Sequence, residues 1–358
     1  MKVCIILGTR PEIIKMSPII RQCIKLNLDY FILHTGQHYS YELDQSFFKD
    51  LNLPEPRYNL NIGSGSHAVQ TAGLLVGIEE VLIKEKPDIV LVQGDTNTVL
   101  SGALAASKLH IKIGHVEAGL RSYDRTMPEE INRIITDHIS DYLYAPTDDA
   151  KNNLIKEGIS PDKIFVTGNT VVDSVVQNLQ ISKDKENVLS QYNLTSGNYI
   201  LTTFHRAENV DNREKLANIL SALQAIHTQH GLPIIFPMHP RTEKMINLFG
   251  ISTEGIRVLK PQGYFTFLQL EENAKAILTD SGGLQEEGCI LGTPCLTLRE
   301  NTERPETVSV GANILVGTNK ENILHAYSTL KNNTTWINPY GDGKTAEKIL
   351  DTLSQQFI

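Results

Sequence analysis

Apolar residues along this chain gather in short continuous runs, and stretches of helical period separate them. Val3–Leu7, Tyr30–His34, Ile89–Val92, Ile111–Val116, Tyr142–Ala145 and Ile164–Thr167 form one series; Tyr199–Phe204, Pro233–Pro237, Val258-Leu259, Ala276–Thr279, Pro294–Leu298 and Ile314–Val316 form a second. Runs that are uniformly apolar rather than alternating mark strands buried on both faces, as in parallel sheets. Helices are expected from Pro11 to about Lys25, from His67 to Lys86, from about Thr98 to Lys108, over Asp148–Glu157 and from about Lys344 to Gln356. Pro11 suits a first helical turn, where its missing N–H costs nothing. The repeating strand–helix order predicts an α/β protein with two doubly wound domains, their ligand site in the cleft between them. The polar run SKDKENVLSQYNLTSGN, Ser182–Asn198, has the composition of an interdomain linker. Boundaries are expected at 1–168 for the first domain and 169–340 for the second. Residues 341–358 are expected to carry a last helix that folds back on the first domain.

The chemistry gathers at strand ends. Ligands in open α/β sheets bind beyond the carboxyl ends of the strands. Gln93-Gly94-Asp95 ends one run and His115-Val116-Glu117 the next, while Glu129-Glu130 open the following helix. One such acid would serve equally well as a helix cap, but two on neighbouring strand ends point to proton transfer or sugar chemistry. Arg10 and Lys15 lie by the first strand end and a helix start, where phosphate binds readily. In the second half, Thr279-Asp280-Ser281-Gly282-Gly283-Leu284-Gln285-Glu286-Glu287 runs from a strand through two glycines into a helix. The glycines let a diphosphate approach free N–H groups at the positive end of the helix. Glu286 or Glu287, one turn further on, is placed to accept hydrogen bonds from a ribose.

Composition narrows the picture. Over 358 residues, 41% hydrophobic and 21% charged is ordinary for globular domains, and the formal charge of −8 argues against a general nucleic-acid or polybasic membrane surface. The apolar start breaks at Gly8-Thr9-Arg10, too early for a signal peptide or membrane span. Cys4, Cys23, Cys289 and Cys295 have no C-x-x-C spacing and read as buried, reduced thiols of a cytoplasmic protein. Gly63-Ser64-Gly65-Ser66-His67-Ala68 mimics a dinucleotide loop without a preceding strand. Gly343-Lys344-Thr345 mimics the end of a P-loop with Asn338 where its first glycine belongs. His227-x-x-His230 reads as a solvated pair rather than a metal site.

Taken together and in order, GTRPEIIKMSP, TGQH, QGDT, EAGLRS, PEEINR, HRAENV, TDSGGLQEE and TERPE resemble the non-hydrolysing UDP-N-acetylglucosamine 2-epimerases over nearly the whole chain. The resemblance implies a GT-B fold of two Rossmann-like halves. It also implies interconversion of UDP-GlcNAc and UDP-ManNAc by elimination of UDP to a 2-acetamidoglucal and re-addition, in a cytoplasmic homodimer using neither metal nor other cofactor. It assigns Asp95, Glu117 and Glu129 as acid/base carboxylates. Lys15 and His205 are catalytic, Arg10 and Arg133 bind phosphate, Ser281, Gly282, Gly283 and Glu287 contact diphosphate and ribose, and Phe267 walls the uracil. The segment LRSYDRTMPEE is shorter than in many bacterial members. It resembles relatives acting on other UDP-2-acetamido sugars such as UDP-2,3-diacetamido-2,3-dideoxyglucuronic acid. A retaining GT-B glycosyltransferase would share the fold but leave the carboxylates of the first domain without a task. Some members bind UDP-GlcNAc as an activator near the TGQH loop; Gln37 and His38 keep that pattern, whereas Ser40 and Ser66 depart from it.

Overall fold

The computed structural model describes residues 1–37, 47–330 and 335–357. The chain divides into two compact units, one of Met1–Ser174 with Tyr340–Ile358 and one of Val175–Pro339. The first contains a seven-stranded sheet built from β1 (Lys2–Leu7), β2 (Asp29–His34), β3 (Tyr58–Asn59), β4 (Ile89–Gln93), β5 (Lys112–Val116), β6 (Tyr142–Ala145) and β7 (Ile164–Val166). Their order is β3-β2-β1-β4-β5-β6-β7, with parallel pairing throughout. The second has six strands, β8 (Ile200–Thr203), β9 (Ile234–Pro237), β10 (Ile256–Leu259), β11 (Ala276–Thr279), β12 (Cys295–Thr297) and β13 (Asn313–Leu315), in the order β10-β9-β8-β11-β12-β13, also all parallel.

Burial explains why the strands read as unbroken apolar runs. Val3–Leu7 and Ile89–Val92 are inaccessible on both faces because helices cover the sheet above and below. The helix Asn97–Lys108 buries Ser101, Gly102, Ala103, Ala105 and Ala106, and such small side chains let it lie close to the sheet. The second core packs Phe204 against Phe236 with ring centroids 4.8 Å apart, among Leu216, Leu220 and Leu223 of helix Arg213–His230. The two-residue strand β3 escapes the hydrophobic pattern because its residues are only half buried and pair along one edge, with β2.

The polar run after helix Thr170–Lys185 is not a loose tether. Val188 is fully buried and packs with Tyr199, Leu201 and Leu270 in the second unit. Its N–H reaches Gln269 Oε1 at 3.2 Å, and Ser182 Oγ donates to the Phe265 carbonyl at 2.9 Å. The polarity of this segment reflects an exposed outer face. The last helix, Thr345–Gln356, buries Ala346, Ile349, Leu350 and Leu353 and packs on helix Arg10–Lys25. Asp173 accepts its Ala346 N–H at 3.0 Å, and Asn169 N–H donates to the Tyr340 carbonyl at 2.8 Å.

In both sheets the chain leaves the middle in opposite directions, between β1 and β4 in one and between β8 and β11 in the other. Connections therefore diverge there and leave a crevice beyond the carboxyl ends of the central strands. Beside the first crevice, Gly119 has φ +83°, and a Cβ on it would lie 2.3 Å from the Ala150 carbonyl oxygen. Gly119→Ala therefore combines backbone strain with a clash against main chain. It should destabilise the protein by about 2–4 kcal/mol in urea unfolding followed by circular dichroism; a variant within about 0.5 kcal/mol of the parent would show that this loop yields.

Candidate active site

At the carboxyl end of β5 the backbone turns sharply. Glu117 has φ +70°, an unfavourable conformation for a residue with a side chain. Its buried carboxylate takes both oxygens to the Lys15 ammonium at 2.8 Å, and also accepts from the side chains of Gln93 and Asn169. Lys15, at the first turns of the helix after β1, is thus paired with Glu117. At the end of β4, Asp95 receives the Arg133 guanidinium at 2.5 Å, and the same guanidinium reaches Glu130 at 2.8 Å. Asp95 and Glu117 therefore stand at the ends of adjacent strands, each beside its own cation. Glu129 is half buried and has no ion-pair or hydrogen-bond partner among the described residues. Arg10 heads helix Arg10–Lys25, its guanidinium 5.7 Å from the centre of the Phe47 ring.

Beneath these loops lie buried carboxylates that sequence reasoning missed. Glu12 accepts the N–H groups of Gly8 at 2.5 Å and Thr9 at 3.1 Å, and the Thr96 hydroxyl at 2.5 Å. It thereby ties the loop after β1 to the loop after β4. Burial pushes its carboxyl up to about 7 against the pull of those three donors. Asp137 holds Arg121 at 2.7 Å, His115 Nδ1 at 2.6 Å and the Gly119 N–H at 3.2 Å, and His115 Nε2 in turn meets the Gly94 carbonyl at 2.8 Å. One acid thus fixes the turns on which Asp95 and Glu117 ride. Burial raises the Asp137 pKa, but His115 and Arg121 outweigh it and hold the group below the usual carboxylate range. Glu130, the neighbour of the expected Glu129, is spent on the N–H groups of Ser122 and Tyr123 at 2.9 and 3.0 Å. Its signal in the sequence was the PEE pair itself, which does not say which acid points inward.

In the second unit, Asp280 at the end of β11 is fully buried. It accepts the N–H groups of His205 and Arg206 at 3.1 and 3.0 Å and the Asn209 amide at 3.0 Å. This joins the HRAEN loop after β8 to the SGG loop after β11 across the point where the strand order reverses. The His205 ring is exposed, its centre 5.2 Å from that of His239. Burial, then His205, lower the His239 pKa. Ser281 precedes helix Gly282–Leu291 at its N-cap position, its side chain making no capping hydrogen bond. A Cβ on Gly282 would meet nothing nearer than 3.8 Å and one on Gly283 nothing nearer than 3.9 Å. Packing alone does not demand glycine at either position. Glu286 is buried against Arg304 of the TERPE motif at 2.8 Å, which leaves half-buried Glu287 as the accessible acid of the pair. Phe267 is half buried against the core around Leu270. Gln37 accepts from Thr98 N and Oγ1 at 3.0 and 2.6 Å, whereas His38 and Ser40 lie outside the described residues. Among those residues, no group of three or more His, Cys, Asp or Glu side chains is arranged to hold a metal ion.

The chain as a whole has counterparts among known proteins. The family model described as UDP-N-acetylglucosamine 2-epimerase matches residues 22–354. The chain belongs to that family. A UDP-N-acetylglucosamine 2-epimerase of Methanocaldococcus jannaschii is 58% identical, the match covering 99% of both chains. The crystal structure of the epimerase from that organism in complex with UDP-GlcNAc and UDP superposes with a TM-score of 0.82 over 99% of this chain and 100% of that one. A UDP-2,3-diacetamido-2,3-dideoxy-D-glucuronate 2-epimerase of Pseudomonas aeruginosa is 41% identical, covering 99% of this chain and 100% of its own. Family members are isomerases with GT-B-like architecture, which the two parallel sheets share.

Glu12 yields a pH prediction. Its folded pKa of about 7 lies above the unfolded value near 4.3, so the native state binds the extra proton in between. Stability conferred by the protonated form is complete below about pH 4 and declines as pH rises through 7. Glu12→Gln keeps an oxygen for the Gly8 and Thr9 N–H groups, and its amide faces Thr96. The variant should lose most of the fall in stability between pH 4 and 8, on the order of 2–3 kcal/mol, in urea melts across that range. An unchanged pH slope would show that Glu12 does not titrate there.

Proposed function

We propose that this protein interconverts UDP-N-acetylglucosamine and UDP-N-acetylmannosamine by eliminating UDP and adding it back. The observation that carries this reading is the pair of acids, Asp95 and Glu117, on adjacent strand ends, each beside its own cation. The C2 hydrogen of such a sugar is weakly acidic, so its removal needs a positioned carboxylate and stabilisation of the departing diphosphate. A carboxylate takes the C2 proton, the C2–H electrons form the C1=C2 bond, and the C1–O bond breaks with its pair going to UDP. The 2-acetamidoglucal is then protonated on the opposite face as UDP re-adds. Asp95, Glu117 and Glu129 are the acid/base set, with Lys15 as the counter-ion of Glu117. His205, Arg10 and Arg133 balance phosphate charge. Ser281, Gly282 and Gly283 receive the diphosphate at a helix N-terminus, Glu287 accepts the ribose hydroxyls and Phe267 borders the uracil. The name of the relative at 58% identity supports UDP-GlcNAc as substrate; the short LRSYDRTMPEE segment and the relative at 41% favour the diacetamido uronic acid as the second reading.

Incubation with UDP-GlcNAc in D2O should give UDP-ManNAc labelled at C2, with traces of UDP and glycal in mass and NMR spectra. Asp95→Asn, Glu117→Gln and Glu129→Gln should each lower kcat by about 10²–10⁴ while UDP affinity stays within a few-fold. Unlabelled product, or a full rate in all three variants, would refute the mechanism. A higher kcat/KM for the diacetamido uronic acid would transfer the assignment to that substrate.

A homodimer and a cytoplasmic setting complete the proposal. Helix His67–Glu85 exposes Val69, Val76 and Ile83, seven residues apart on one face, which suits pairing with a second copy. All four cysteines are buried and unpaired, and among the described residues no helix is long and apolar enough to cross a membrane. Sedimentation should return the mass of a dimer, and Val76→Asp should shift it towards monomer. A parent protein that sediments as a monomer refutes the pairing.

A further inference from the structure

Glu271, on helix Tyr264–Glu272, is completely buried, and neither of its carboxyl oxygens receives a hydrogen bond from a donor among the described residues. The group it faces is the carboxyl of Glu287, on the adjacent helix Gly282–Leu291. Two carboxylates in contact do not both ionise, and a buried one without a donor is costly. A single shared proton resolves both conditions. Glu271 is the deeper of the two, so the proton belongs on it, which leaves Glu287 as the charged, half-buried acceptor. We propose that Glu271 is a positioning residue whose protonated carboxyl donates to Glu287 and holds that carboxylate in the orientation that receives the ribose of a uridine nucleotide.

This rests on Glu287 being the ribose acceptor. Its neighbour Glu286 is held by an arginine, Arg304, at 2.8 Å, whereas Glu287 faces the acid Glu271; a neutral O–H can orient a carboxylate without cancelling its charge. Among the described residues, the groups around Glu271 are engaged elsewhere. Tyr199, by β8, gives its hydroxyl to the Leu270 carbonyl at 2.6 Å, and Cys295 on β12 is a buried thiol paired with Thr297. Glu272 on the same helix is engaged by Lys183 at 2.6 Å. Burial first, and Glu287 second, hold Glu271 well above the usual carboxylate range. A folded pKa raised above the unfolded value means that stability is fullest below about pH 4 and falls as pH rises towards the folded value. At neutral pH Glu271 therefore contributes less stability than in acid.

Calorimetric titration with UDP tests this. Glu271→Gln retains an N–H donor and should bind UDP within about twofold of the parent. Glu271→Met fills similar volume without a donor and should bind about tenfold more weakly, while melting at the same or a higher temperature. A merely structural role predicts a lower melting temperature and unchanged affinity. Glu271→Met binding UDP as tightly as the parent, or Glu271→Gln losing as much as Glu271→Met, overturns the proposal. Glu287→Gln separates the two readings. If it binds UDP normally, the ribose assignment falls and this proposal with it; if it binds weakly while Glu271→Met does not, only the positioning role is lost. Should Glu271→Met fail to fold, infrared spectra decide: a carboxylic-acid carbonyl band at neutral pH that disappears in Glu271→Gln supports the shared proton, and no such band in the parent overturns it.

Discussion

Carboxylates buried under loops, each receiving main-chain N–H groups, are the interaction on which the site depends. Glu12 collects Gly8 and Thr9, Glu130 collects Ser122 and Tyr123, Asp137 holds Gly119, and Asp280 holds His205 and Arg206. The loops beyond the strand ends of a parallel sheet have no ladder partners, so their N–H groups must be satisfied otherwise. A buried acid that accepts two of them replaces the ladder and fixes the loop in one conformation. Hydrogen bonds to a charged acceptor are also among the stronger ones available inside a protein.

Burying acid carries a penalty, and the two units meet it differently. Around β4 and β5 the charges are compensated: Arg121 and His115 surround Asp137, Arg133 bridges Asp95 and Glu130, and Lys15 covers Glu117. Glu12 has no such cation among the described residues and retains its proton close to neutrality. In the second unit, buried Glu271 faces another acid, Glu287. An overall charge of −8 conceals a locally balanced site in which nearly every reactive acid is already engaged. The strain at Glu117 fits the same economy, since a left-handed backbone at a strand end persists only where Gln93, Lys15 and Asn169 hold its side chain.

Much of the fold could be read from the pattern of apolar runs, because parallel strands covered on both faces leave that signature. Ala276–Thr279 and Tyr142–Ala145 were bounded to the residue. The strand Tyr58–Asn59 could not be read, being too short and too exposed to carry a period. The polar run Ser182–Asn198 was misread as a linker, since composition reports the exposed face and is silent about Val188 beneath it.

The strand-end acids and the glycine pair were legible as residue types, because carboxylate at a strand end and Gly-Gly at a helix start are local chemistry. Sequence by itself therefore determined the alternation of strands and helices, the family and the inventory of reactive groups. Tertiary structure decided which groups engage one another: that Lys15 neutralises Glu117, that Glu130 is spent on a loop while Glu129 is not, and that Glu271 faces Glu287. Those pairings join residues up to about a hundred positions apart, Lys15 and Glu117 being 102. Only the register of neighbouring strands and the packing of helices bring them together, and no local pattern records either.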